Sequence, residues 1–171
     1  MEAPEAVKEA LISIVKEEAP LELHGYTNSN AGYEEVRQAV AESLNERFQT
    51  EFSAENILMT VGAAGGLNVI LKTLINPQEE VIVFAPYFGE YRSYTSNVDG
   101  VLVEISPDTE TFQPKLTEFA EKITPKTKAV IVNTPNNPTG VVYSEKTIRE
   151  MARILEEKQK EYGTEIYFDF R

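Results

Sequence analysis

From residue 57 onward, short β-branched or aromatic runs alternate with longer stretches whose apolar residues recur at helical spacing, and this alternation restricts the fold more than any other feature. The runs at 57–60, 81–85, 101–105, 129–133 and 165–168 are rich in Val, Ile, Phe and Tyr and have the length of strands. Between them, 67–74, 87–96, 116–123 and 145–162 repeat apolar residues every three or four positions, the last opening behind Ser144 as an N-cap. Strands separated by helices run parallel, because each helix returns the chain to the end from which the previous strand began. The expected fold class is therefore α/β: a mostly parallel sheet with helices on both faces. A chain of 171 residues, 42% of them hydrophobic, is long enough to bury a real core.

Ahead of the alternation, Pro4 stands where a first helical turn tolerates proline, and Ala6, Val7, Ala10, Leu11, Ile14 and Val15 follow at helical spacing. A helix ending near Glu18 is expected, then a polar Asn- and Gly-containing loop over 20–31, then a second helix over 33–48 through Val36, Val40, Leu44 and Phe48. The organisation expected is an N-terminal helix and loop over 1–32 and a main unit over 33–171.

Charge and composition remove several function classes. With 28 acidic and 16 basic residues the net charge is -12, which repels nucleic acid and anionic membranes. There is no cysteine and a single histidine, His24, so thiolate and histidine-based metal sites are not expected. The N-terminal residues lack a signal-peptide pattern and no apolar run has the length of a membrane span, so the expected location is cytoplasmic, without membrane or nucleic-acid partners.

In open α/β sheets ligands gather outside the carboxyl ends of the strands, which directs attention to the loops after Thr60, Ala85 and Asn133. The first, Thr60-Val61-Gly62-Ala63-Ala64-Gly65-Gly66-Leu67, is a run of small residues opening a helix, whose backbone N–H groups and dipole favour an anion such as phosphate. Its spacing matches neither the dinucleotide fingerprint nor the P-loop, and close helix packing is an equally ordinary use of such residues. The second, Ala85-Pro86-Tyr87-Phe88-Gly89-Glu90-Tyr91, sets aromatic rings just beyond a strand, where they could pack in the core or stack on a flat ligand. The third, Asn133-Thr134-Pro135-Asn136-Asn137-Pro138-Thr139-Gly140, combines backbone restriction by two prolines and a glycine with amide side chains at a strand terminus, more constraint than a plain turn needs.

Taken together, Asn136-Asn137-Pro138-Thr139-Gly140, Pro86-Tyr87-Phe88 and the Gly62-Ala63-Ala64 loop resemble the pyridoxal phosphate-dependent class I/II aminotransferases of fold type I, over about residues 5–167 and including the Tyr26, Gly32 and Arg37 stretch. The resemblance implies a large domain of that type, here its central part, with 33–171 as an incomplete cofactor-binding domain. It implies that Gly62, Ala63 and Ala64 hold the phosphate of pyridoxal 5'-phosphate, that the Phe88 ring stacks on the pyridine ring, and that Asn137 donates to the ring hydroxyl oxygen. It also implies that Tyr26 reaches the cofactor phosphate of a neighbouring subunit, making a homodimer, while Arg37 is given a structural role. Asp169 is the candidate acid for the pyridinium nitrogen.

The lysine that such enzymes use for the Schiff base lies beyond this sequence in the family pattern, and none of the lysines here is assigned the role: Lys8, Lys16, Lys122, Lys146, Lys158 and Lys160 are placed on charged helix faces, and Lys126 and Lys128 beside a turn. No catalytic residue is therefore expected in these 171 residues. The expectation is an aminotransferase-like chain, moving an amino group between an amino acid and a 2-oxo acid as a whole enzyme and inactive as this piece alone. The alternative is a non-catalytic module that binds the cofactor or self-associates.

Overall fold

A computed structural model describes residues 4–25 and 29–170, and its contacts divide the chain into two compact units, Met1–Gly62 and Ala63–Arg171. The first unit is helical. It contains α1 (Glu5–Glu17), a short α2 (Pro20–His24), α3 (Glu34–Phe48) and a 3-10 turn at Ala54–Asn56. Helix α1 buries none of its residues, and Leu11 and Val15 stand 58% and 69% exposed. Helix α3 turns Arg37 and Ala41 inward; the Arg37 guanidinium donates to the carbonyls of Gly32 (3.2 Å) and Ala54 (2.6 Å), which accounts for a buried charge by backbone satisfaction. That is the structural role expected for Arg37.

Two expectations fail in this unit. The polar stretch 20–31 is not all loop, because Pro20 occupies the first position of α2, where its missing N–H costs nothing. The run 57–60 is not a strand: among the described residues it has no ladder, only Met59 donating its N–H to the Ala31 carbonyl at 2.9 Å. Strand propensity describes fitness for a pleated surface, and without a neighbouring strand it produces extended chain, with Leu58 55% and Val61 93% exposed.

The second unit holds the sheet. Strands β1 (Glu80–Phe84), β2 (Val101–Ile105), β3 (Thr127–Val132) and β4 (Tyr167–Phe170) lie in the order β2-β1-β3-β4, all pairs parallel. Successive residues of a strand face opposite ways, and both faces of β1 and β3 are apolar, as a sheet covered on both sides requires. Val81, Val83, Ala129 and Ile131 meet Leu67 and Leu71 of α4 (Gly62–Leu74) and Tyr91 and Tyr94 of α5 (Glu90–Ser96). Ile82, Phe84, Val130 and Val132 meet Phe119 of α6 (Leu116–Lys122) and Met151, Ile154 and Leu155 of α7 (Glu145–Tyr162). The α/β class with helices on both faces is what the alternation predicted.

The strand order explains the two helix layers. The chain steps from β1 to β2 in one direction and from β2 through β3 to β4 in the other. Crossovers of one hand then put α5 on one face and α6 and α7 on the opposite one. The direction of travel reverses between β1 and β3, so the loops after these two central strands leave to opposite sides, and their carboxyl ends are where open α/β sheets take ligands.

Candidate functional site

The candidate site is built from the loop after β1 and the loop after β3, and one buried side chain joins them. The Asn136 carboxamide, 6% exposed, donates through Nδ2 to the Pro86 carbonyl at 3.0 Å and to Thr139 Oγ1 at 2.9 Å. The rest of the β3 loop is braced by its own backbone and hydroxyls. Asn136 N–H donates to Val141 O (2.8 Å), Gly140 N–H to Asn136 O (2.6 Å), Asn137 N–H to Asn133 Oδ1 (2.8 Å), and Tyr143 N–H to Thr134 Oγ1 (2.9 Å). Gly140 closes the loop at φ +73°, a left-handed conformation that a side chain would strain. The excess of constraint noted in the sequence is thus real, and it holds the two asparagines in opposite attitudes.

Asn137 faces solvent and its side chain has no hydrogen-bond partner among the described residues, so its amide and carbonyl remain available to a ligand. On the other loop, Phe88 is half-buried, held edge-on by Tyr91 with ring centroids 5.8 Å apart and planes at 75°. Tyr91 also stacks on Tyr87 at 6.2 Å and 11°. Offset and edge-to-face packing of this kind orients the rings, with Tyr91 buried and Tyr87 and Phe88 left partly exposed. Tyr87 is anchored at its far end: its hydroxyl donates to Glu104 Oε1 of β2 at 2.5 Å, and Arg92 of α5 pairs with the same carboxylate. Burial, and then the neighbouring Glu104 carboxylate, push the Tyr87 phenol above its ordinary pKa, so it stays a neutral donor. Glu104 and Arg92 were not singled out in the sequence; an isolated Glu within a strand and an Arg on a helix carry no pattern that would have marked them.

The third element is the start of α4, which begins five residues earlier than its apolar periodicity suggested, at Gly62 in place of 67. Ala63 and Ala64 form its exposed first turn, with no acidic residue there to occupy the helix end. First-turn N–H groups have no intrahelical acceptor, and none is recorded for Ala63 or Ala64 among the described residues. Gly62 has φ +65° and nothing within 4 Å of where a Cβ would stand, so the approach to these donors is open. Leu67 and Leu71 of the same helix pack in the cluster that also receives Tyr87 and Phe88. The donor set suits a phosphate, the ring suits a planar group, and the outward amide suits a ring oxygen.

Other sequence-predicted residues stand as follows. Asp169 pairs through its backbone with Ile131 in the β3–β4 ladder, next to the central strand, and only its backbone is described. Tyr26 lies outside the described residues. Lys8, Lys122, Lys158 and Lys160 are each ion-paired with a Glu one turn away, in keeping with charged helix faces. Among the described residues no cluster of His, Cys, Asp and Glu could hold a metal, and no helix is long and apolar enough to cross a membrane. A shallow depression on α7, lined by Glu145, Lys146, Arg149, Glu150 and Arg153, contains none of the residues above.

Fold and loops together define an α/β domain with a parallel sheet whose carboxyl-end loops are built to receive a ligand. The sequence matches the family model described as aminotransferase class I and II over residues 2–163, and the chain belongs to that family. It is similar to a probable aspartate/prephenate aminotransferase of Thermus aquaticus, 40% identical over 125 residues that cover 72% of this chain and 33% of the relative. The aspartate/prephenate aminotransferase of Thermus thermophilus is 36% identical over 128 residues, covering 74% and 33%. Among solved structures, an aminotransferase from Eubacterium rectale superposes with a TM-score of 0.95 at 40% identity, covering 99% of this chain and 43% of that one. The chain spans about a third of the length of these curated relatives.

Proposed function

We propose that this chain carries the pyridoxal 5'-phosphate cradle of an aminotransferase that moves an amino group between an amino acid and a 2-oxo acid. The observation that carries the reading is the pair of bonded loops at the carboxyl ends of β1 and β3, one carrying the half-buried Phe88 ring and the other the exposed Asn137 amide, which has no hydrogen-bond partner among the described residues. In this reading Phe88 would stack on the pyridine ring, Asn137 would donate to the ring hydroxyl oxygen, and the phosphate would sit at the turn of Gly62, Ala63 and Ala64, held by the N–H groups of Ala63 and Ala64 because that of Gly62 already donates to the Thr60 carbonyl, with Asp169 as acid partner to the ring nitrogen. The cofactor, when bound, supplies the electron sink for amino-group transfer; these residues bind it, orient its ring and exclude water from one face. The whole protein works as a cytoplasmic homodimer in which Tyr26 reaches the partner's phosphate. By the family resemblance none of the lysines of these 171 residues corresponds to the Schiff-base lysine, so the cofactor would be bound here without a covalent bond.

Titration of the purified chain with pyridoxal phosphate, followed by absorbance and tyrosine fluorescence, then borohydride reduction and intact-mass analysis, tests this. Saturable binding that leaves no reduced adduct is expected, and Asn137→Ala should weaken it roughly tenfold while leaving the unfolding midpoint unchanged. A stoichiometric adduct at one mapped lysine would overturn the assignment of the lysines, and no saturable binding would remove the cofactor reading. A second reading, a self-associating module without cofactor affinity, draws on the exposed apolar residues of α1 and on the open outer edges of β2 and β4 among the described residues.

A further inference from the structure

We infer that Asn136 is a positioning residue that sets the spacing between the ring-stacking loop and the Asn137 loop. The inference rests on the cofactor reading above for its purpose, and on the hydrogen-bond geometry alone for its mechanism.

Asn136 is one of few buried polar side chains in the structure, and both hydrogens of its amide are used: one on the Pro86 carbonyl, one on Thr139 Oγ1. The first of these bonds joins residues 50 apart in sequence and links the end of β1 to the end of β3, beyond the last residues that the strands themselves pair. The β1–β3 ladder registers Val81 with Ala129 and Ile82 with Val130, and neither strand's following loop is held by it. The amide orientation is settled by its partners, because a carbonyl oxygen set against the Pro86 carbonyl would be repelled, whereas the nitrogen donates to both acceptors.

Pro86 is two residues from Phe88, and Asn136 is followed at once by Asn137. The bond therefore fixes a short rigid path from the ring to the outward amide, running through one buried carboxamide. The bond crosses directly from one loop to the other. A merely stabilising polar residue would have no reason to bridge the two loops whose separation determines whether a planar ring can touch both contacts. Thr139 completes the arrangement: its hydroxyl oxygen also accepts the Val141 N–H at 3.3 Å, so that the clamp and the closure of the β3 loop share an atom.

The test is Asn136→Asp, which keeps the shape but cannot donate when ionised, compared with the parent chain and with the milder Thr139→Val, which removes one acceptor and leaves the Pro86 bond. Two readouts are taken. In the cofactor-free chain, amide hydrogen exchange is expected to quicken about tenfold in 87–91 and 137–141 in Asn136→Asp while the amides of β1 and β3 keep their protection. With pyridoxal phosphate added, the circular dichroism band that the cofactor acquires in the site is expected to shrink or change sign in Asn136→Asp and to persist in Thr139→Val. Unchanged exchange in 87–91 overturns the clamp whether or not the cofactor binds. An unchanged dichroism band at saturation overturns its positioning role even if exchange rises. If the parent chain fails to bind pyridoxal phosphate, the cofactor reading falls and exchange alone decides the clamp. Should Asn136→Asp not fold, Asn136→Ser, whose side chain is too short to reach the Pro86 carbonyl, takes its place: faster exchange in 87–91 supports the clamp, and parental exchange there overturns it.

Discussion

Asn136 and Asn137 share one side-chain chemistry and adjoin in sequence, yet one is turned into the protein and the other out of it. What separates them is tertiary: the Pro86 carbonyl arrives from the end of a different strand to meet the first, and the side chain of the second has no hydrogen-bond partner among the described residues. The sequence marked this loop as overconstrained and the family resemblance pointed to Asn137, whereas Asn136 could not be read, because its partner is 50 residues away. Glu118 illustrates another residue-level property that pattern reading misses. The Lys122 ammonium one turn on and the Ser106 N–H bring its carboxyl from 4.5 down to about 2. A carboxyl lowered by folding stabilises the native state above its unfolded value, and that contribution is lost as pH falls from 4.5 through about 2. Glu118→Gln should therefore lose less stability than the parent across that window, measured as the urea midpoint at the two ends; parallel losses would show that the carboxylate is not held by these contacts.

At the scale of elements, the sequence was most informative where local signals and tertiary demands agree. Helix α7 runs Glu145–Tyr162 as its periodicity predicted, because Ser144 Oγ accepts the Thr147 N–H at 3.0 Å and Gly163 ends it at φ +66°. Strand β2 also occupies the predicted residues, and β1, β3 and β4 lie within two residues of theirs. The failures share one cause. The run 57–60 has strand chemistry without a partner, and the Gly-rich start of α4 has poor helix propensity yet is helical, so in both cases context outweighed intrinsic preference. For α7 the two contributions can be separated by mutation. Ser144→Ala should cost about 1 kcal/mol through the lost cap. Met151→Ala, at a position with no exposure against the sheet, should cost about 2–5 kcal/mol. Denaturant unfolding measures both, and equal losses would mean that the helix is held by its end and not by its face.

For the whole molecule, apolar surface and charge act against each other. Helix α1 exposes Val7, Leu11, Ile12, Ile14 and Val15, a surface suited to association, while a net charge of -12 keeps copies apart. Salt screens the repulsion and leaves the apolar attraction in place. The chain should therefore sediment as a larger species at high than at low ionic strength, with Leu11→Glu suppressing the change; a sedimentation coefficient indifferent to salt would show that α1 drives no association.

The all-parallel order of the sheet also bears on how the chain reaches its fold. No neighbouring strands here are joined by a tight hairpin, and the central pair, β1 with β3, brings together residues such as Glu80 and Thr127 that are 47 positions apart. Each such pairing must close a long loop before its contacts repay the lost chain entropy, and topologies of this kind fold slowly. The candidate site is assembled last in that scheme. The loops that form it meet only after the central pair has found its register, so a partly folded chain can hold most of its helices and still have no place for a ligand.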